Sequence, residues 1–332
     1  MVQTSTVAST AFLGIDVAKE KLDVVLLVGQ RNGYRVFPNS APGFEQLSSW
    51  LLQEQVQQVH ACLEATGSYS DAIALFLFEH GHTVSILNPS VLVNYRKSKN
   101  ARSKTDKLDA TLLSYYAQEM QPLPWRPLPQ EVMTLRSLLA YRDDVQQMLL
   151  QARNRKYAGR LDPWVHQRVQ THIDQLVNDL KGVEERIWAS LEEDENRKDI
   201  WTRLQTIRGI GRLSATRLIA HIGEIERFTH PGSLVSLAGI AVKQRESGSS
   251  VRGRAQMDRH GRQSLRQILY MCALVSLRWD KHMRQWAQRL KERGKPSKVV
   301  IVAVMRKLLH IVYGVWKNEC DYKAEVAFPT AA

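Results

Sequence analysis

The run Ala11-Phe12-Leu13-Gly14-Ile15-Asp16-Val17-Ala18 decides how this chain is read. Its apolar continuity between polar flanks predicts a buried strand, and Asp16 interrupts it. An ionised carboxylate taken out of water without a partner costs several kcal/mol or more, so Asp16 is expected to be neutral or to hold a cation. A second run, Val59-His60-Ala61-Cys62-Leu63, ends on Glu64 just before the turn signal Ala65-Thr66-Gly67. Asp106 and Asp109 stand three residues apart at the start of the helical pattern Thr105 to Leu113, which puts both on one face. An acid at a helix start is ordinarily a cap or a dipole partner, but a mid-strand Asp16 has no cap to make. Four hard oxygen donors without neighbouring Cys or His donors suit Mg²⁺ or Mn²⁺ rather than zinc, and such ions serve phosphate chemistry.

Outward from that run, strands are predicted at 11–18, 22–28 and 34–37, the last two joined by the turn Gly29 to Gly33. An amphipathic helix with Phe44, Leu47, Trp50 and Leu51 on one face follows, then the Glu64 strand, a helix from about Ser68, a strand from Thr83 to Leu87, and the Asp106/Asp109 helix. A three-strand meander followed by alternating helices and strands indicates a mixed sheet with helices packed on it. That is the order of a ribonuclease-H-like nuclease, an α/β fold. Pro122, Pro124, Pro127 and Pro129 then mark a domain boundary.

From Glu131 to Glu195 apolar residues recur at helical spacing, as in Leu135, Leu138 and Leu139 and in Ile173, Leu176, Leu180 and Val183. This predicts an antiparallel helical pair turning near Gly159 to Pro163, a coiled-coil-like arm that alone would be a spacer or dimer contact. Next, Arg208-Gly209-Ile210-Gly211 joins two helical patterns in the manner of a helix-hairpin-helix, whose backbone N–H groups at Gly209 and Gly211 can bind a phosphate. The stretch Lys243 to Arg254 is a Gly/Ser-rich loop ringed by cations. Composition reads it as a flexible linker. Chemistry offers a second reading, since a serine there can attack phosphorus while Arg245, Arg252 and Arg254 stabilise the charge on the phosphoryl oxygens. The following helix is expected to turn Leu265, Ile268, Leu269 and Cys272 inward and Arg262 and Arg266 outward, to grip a backbone.

The 332 residues carry 46 Lys/Arg against 33 Asp/Glu, a formal charge of +13. From Ile240 to His310 there are 17 Lys/Arg and 4 Asp/Glu, so this segment alone carries an excess equal to that of the whole chain. Nucleic acid is the expected partner. Cys62, Cys272 and Cys320 are too few and too scattered for a disulfide framework or a zinc site, which implies a reducing cytoplasm. The longest apolar run, Val299 to Met305, falls far short of the ~20 residues that span a bilayer, and no membrane association or export is expected.

Four separated segments, Gly14 to Asp23, Glu64 to Gly67, Lys104 to Ala110 and Glu246 to Gly253, together resemble the transposases of the insertion sequence 110 family. The resemblance implies a RuvC-like domain (1–121) with an Asp-Glu-Asp-Asp set, here Asp16, Glu64, Asp106 and Asp109, a coiled coil (131–195), and a mostly α-helical basic transposase domain (196–325). It implies Ser247 as the catalytic serine, and a recombinase programmed by a structured non-coding RNA whose loops pair with target and donor DNA. Asp16 and Ser247 fall in different domains, and the family's composite site, with its two halves from different protomers of a dimer or tetramer, is what the resemblance implies for them. Arg102, Lys104, Lys243, Arg259 and Arg262 join the loop arginines as candidate nucleic-acid contacts. The family's usual Pro before Gly209 is Arg208 here, and that after the Ala-Gly-Ile turn is Val242. Two rivals remain open: a hydrolytic junction nuclease that leaves Ser247 idle, and a non-catalytic architectural protein.

Overall fold

The computed structural model describes residues 11–328 except 66, 101, 102, 104, 160, 161, 244, 245, 248–250, 253–255 and 259, with the backbone alone at 68, 246, 247, 251 and 252. The chain divides into two compact units, Met1–Pro127 and Leu128–Ala332.

The first unit is built on β1 (Ala11–Val17), β2 (Lys21–Val28), β3 (Arg31–Pro38), β4 (Val59–Glu64) and β5 (Thr83–Leu87). They form one mixed sheet in the order β3-β2-β1-β4-β5, with β1 antiparallel to β2 and parallel to β4. This is the ribonuclease-H-like, RuvC-like arrangement. The β2–β3 turn is tighter than predicted, since β2 runs to Val28 and β3 begins at Arg31, with Gly29 at φ +59° supplying the left-handed corner.

Helices α1 (Ala41–Gln53) and α2 (Asp71–Glu79) cover one face, and α3 (Pro89–Ser98) and α4 (Asp106–Met120) the other. Burial on both faces accounts for the unbroken apolar run of β1. Alternation assigns its residues: Leu13 and Ile15 enter the core with Leu47, Trp50 and Ile73, whereas Phe12 packs with Leu92, Leu112 and Leu113 on the α4 face. Asp16 therefore shares the α4 face. The same alternation puts Glu64 there with Cys62, and Asp23 with Leu27. The proline stretch begins as part of this unit. Trp125 N donates to Val84 O at 2.6 Å and Ser85 Oγ to Leu123 O at 3.0 Å, so the segment lies along β5.

The second unit opens with α5 (Gln130–Tyr157) and α6 (Pro163–Glu192), packed along one another through Val145, Leu149, Ile173 and Leu176. Arg142 pairs with Glu184 and Lys156 with Gln170, residue numbers that rise on one helix as they fall on the other, as an antiparallel pair requires. Helices α7 (Glu195–Gln205), α8 (Arg212–Ile222), α9 (Pro231–Leu237), α10 (Gln263–Trp279), α11 (Lys281–Glu292) and α12 (Ser297–Lys317) complete it. Leu204, Leu218, Leu234, Leu269, Val304 and Leu308 share one core with Leu135 and Ile187 from the base of the helical pair. Among the described residues α12 alone is long and apolar enough to cross a membrane, but Val304, Leu308, Leu309 and Val312 are fully buried in this core.

Candidate active site

Three strands and one helix converge on the carboxylates. The parallel register pairs Ile15 with Leu63, so Asp16 and Glu64 follow side by side at the carboxyl ends of β1 and β4. Thr105 caps α4, its Oγ1 accepting from Leu108 N at 3.2 Å, and starts the helix at Asp106. The helix rests directly on β1 because Gly14 has no side chain: a Cβ there would stand 1.9 Å from Ala110 O and 2.4 Å from Ser114 N. That close approach carries Asp109, beside Ala110 and only 6% exposed, over the strand that bears Asp16.

The electrostatics record the convergence. Burial, then the charges of Asp109, Asp106, Glu64 and Asp23 in decreasing order, push the Asp16 carboxyl up from 3.8 to about 6. Four acids thus act on one. Among the described residues no three Asp, Glu, His or Cys side chains stand close enough together to hold an ion as placed. Two cations engage the helix acids: Lys21 Nζ reaches Asp106 Oδ2 at 2.7 Å and Asp23 Oδ2 at 2.9 Å, and Arg96 of α3 pairs with Asp109. An all-carboxylate donor set under mutual repulsion fits a hard divalent ion, which would relieve the repulsion.

Sequence reasoning missed Asp23 as a site residue. It is 2% exposed, stands directly across the β1–β2 ladder from Asp16, and accepts from Tyr34 Oη at 2.5 Å. The signal was an acid two residues into the apolar strand Lys21–Val28, opposite another acid across a short turn. Lys21, Tyr34 and Arg96 carried no comparable signal, because their roles come from sheet register and from the packing of α3.

In the second unit the serine segment is a hairpin rather than a linker. β6 (Val242–Lys243) pairs with β9 (Gln256–Met257), and inside it β7 (Glu246–Ser247) pairs with β8 (Val251–Arg252). Ser247 thus stands opposite Val251, and Arg252 opposite Glu246. At the base, Asp258 N donates to Ala241 O at 2.7 Å, and the Asp258 carboxylate joins Lys243 at 3.1 Å and His260 at 2.5 Å. Those contacts, the His260 hydrogen bonds foremost, hold the Asp258 carboxyl down at about 2.

The helix-hairpin-helix joins α7 to α8. Gly209 lies at φ +104°, and a Cβ there would meet Ser276 Oγ at 2.3 Å and Cys272 O at 2.8 Å, so α10 accounts for this glycine. Gly211 caps α8, and a Cβ on it would meet open space. Arg262 is exposed as expected, although its guanidinium also meets the end of α8, whereas Arg266 is half-buried and does not follow the outward expectation. Arg262 Nη1 donates to His221 O at 2.5 Å, and Arg266 Nη1 to Ala238 O and Gly261 O at 3.1 Å, because helix and turn ends near α10 leave carbonyls in need of donors. Arg102, Lys104, Arg245, Arg254 and Arg259 lie outside the described residues.

Residues 13–158 match a family model described as Transposase, and residues 201–288 one described as Transposase IS116/IS110/IS902 family. The chain is 31% identical to the pilin gene-inverting protein of Moraxella bovis, over 96% of this chain and 99% of that protein. It is 22% identical to the transposase for insertion sequence element IS1328 of Yersinia enterocolitica, over 76% of this chain and 83% of that one. Among solved structures, T. thermophilus RuvC in complex with Holliday junction substrate covers 35% of this chain and 99% of its own at 13% identity and a TM-score of 0.27, too weak a likeness to argue from. With two family matches that together span most of the chain, and a 31% identical relative along nearly all of it, the chain belongs to the IS116/IS110/IS902 family of transposases, enzymes that rearrange DNA.

Proposed function

We propose that this transposase is an RNA-guided DNA recombinase that cuts and rejoins strands through a phosphoserine link at Ser247. The observation that carries the catalytic part is the Asp16 carboxyl, held near 6 by burial and by four neighbouring acids at the carboxyl end of a central strand. In this reading Asp16, Glu64, Asp106 and Asp109 hold Mg²⁺ or Mn²⁺. The ion, when bound, supplies positive charge to the scissile phosphate and the leaving oxygen.

Ser247 Oγ attacks phosphorus; the P–Oγ bond forms as the bond to the leaving strand oxygen breaks, and the serine proton passes to a base. The link conserves bond energy, so a second strand's hydroxyl reverses the step without ATP. The cations this reading assigns to the phosphoryl oxygens are Arg252, in register with Glu246, the residue before Ser247, and Lys243 on β6. The proposed functional division is 1–121 for the metal domain, 131–195 for the arm and 196–325 for the serine domain. A composite site, completed between protomers of a dimer or tetramer, rests on the family resemblance alone. Guidance by RNA rests on the four-segment family resemblance and on the basic excess from Ile240 to His310.

The test is a denaturing gel of the RNA-loaded protein with a suicide DNA substrate, followed by peptide mapping of the labelled residue. Ser247→Ala is expected to abolish the covalent adduct, while Ser249→Ala and Ser250→Ala retain it. Robust cutting without an adduct would favour the hydrolytic nuclease, and undiminished recombination by RNase-treated protein would remove the guide.

A further inference from the structure

Within the second unit, α5, the end of α8 and the start of α10 enclose a cleft of about 460 Å³. Its polar lining is Arg136, Asp143, Arg217, His221, Arg262 and Ser264. Arg136 Nε donates to Ala220 O at 2.6 Å and Arg262 Nη1 to His221 O at 2.5 Å, so two guanidiniums meet the carbonyl end of α8. Arg136 Nη2 also donates to His221 O at 3.4 Å. Arg217 pairs with Asp143, yet its Nε is buried and makes no hydrogen bond among the described residues. Asp143 is the one acid among the described lining residues, and it also serves Arg142 at 3.3 Å.

Three guanidiniums therefore line a cleft that holds one carboxylate, itself paired with Arg217. Their convergence is legible in His221, which burial and then Arg262, Arg136 and Arg217 push down to about 4, so that the imidazole stays neutral and adds no charge. Ser264 is the second residue of α10, a 17-residue helix, and brings a hydroxyl and the helix's positive end to the same cleft. Forked donors, a hydroxyl and a helix N-terminus in one concavity match a tetrahedral oxyanion.

We infer that this cleft seats a backbone phosphate of nucleic acid, gripped without regard to base identity. The inference rests on the nucleic-acid reading proposed above, and adds a site that the helix-hairpin-helix and the serine hairpin do not include. Arg262 comes five residues after the end of β9, so a phosphate held there is anchored where the chain returns from the serine hairpin into α10. The duplex or the RNA would then be fixed relative to the hairpin base by a contact indifferent to sequence.

The experiment introduces a competing anion. Ser264→Glu places a carboxylate in the cleft at a helix position that favours acids, so folding is retained. Binding of the full-length protein to a short duplex DNA and to a single-stranded RNA, both of unrelated sequence, is measured across a salt series, with Ser264→Gln as the neutral control. Loss of one phosphate contact is expected to weaken binding and to flatten the log-affinity against log-salt slope by about 0.9 for duplex or about 0.7 for single strand. Flattening on one nucleic acid alone identifies the source of the phosphate. Wild-type slope and affinity on both, with an unchanged thermal midpoint, would overturn the inference and leave the proposed function standing; a wild-type protein that binds neither would overturn both. Should Ser264→Glu unfold, Arg262→Gln gives the same reading from an exposed position.

Discussion

Gly14 lies against Ala110 so closely that a Cβ on the glycine would stand 1.9 Å from the Ala110 carbonyl oxygen. Helix α4 and strand β1 touch backbone to backbone, and this contact sets the height of Asp109 above Asp16. Gly14→Ala must lift α4 or bend β1. The expected cost is about 3 kcal/mol in urea denaturation, at the upper end for overpacking, together with loss of strand exchange even if the variant still folds.

Asp16 predicts a pH dependence of stability. Its folded-state value, about 6, lies above the ordinary 3.8, so the folded protein binds the proton more tightly than the unfolded chain. Stability then falls as pH rises from about 4 to about 6, and the deficit persists above that. In EDTA at pH 8, Asp16→Asn should therefore be more stable than wild type, by at most about 3 kcal/mol, with the advantage vanishing near pH 4. Strand exchange should be lost. A variant less stable than wild type at pH 8 would contradict the crowding of acids around this carboxyl.

The two glycines between α7 and α8 should separate packing from phosphate binding. Gly209→Ala meets both a left-handed backbone and the Ser276 hydroxyl, and is expected to cost about 3 kcal/mol or more. Gly211→Ala enters open space at a helix cap and should cost about 1 kcal/mol or less. Thermal melts compare the two, and nucleic-acid affinity measured on Gly211→Ala reads the turn's binding role free of unfolding.

At the hairpin base, Asp258→Asn removes the acceptor shared by Lys243 and His260. The expected result is a lower yield of the Ser247 adduct at unchanged affinity for DNA, measured on the same suicide substrate. Because the Asp258 carboxyl is held down at about 2, the wild-type contact is fully present above about pH 4 and is lost as pH falls toward 2. Adduct yield equal to wild type in Asp258→Asn would show that these contacts do not position the serine.

The elements legible in the sequence were those written in local pattern. The unbroken apolar strand with Asp16 inside it, the acid ending β4 and the three-residue spacing of Asp106 and Asp109 each report a strand or helix face, and alternation then puts the acids on the side that α4 covers. The serine segment was less legible. Its ladders are two residues long, too short for a period to show, and its Gly/Ser content reads equally as a linker. Asp23 was visible only as an acid in a strand until register set it opposite Asp16.

The sequence by itself determined the sheet with its acids, the long helical pair, the basic excess and the family, because these depend on composition, order and near-neighbour spacing. Tertiary structure alone decided which cation meets which acid, why Gly14 and Gly209 must lack side chains, and that Arg266 turns toward the Ala238 and Gly261 carbonyls rather than outward. Each of these depends on distances of a few ångströms between segments far apart in the chain, and such distances exist only once the backbone has packed.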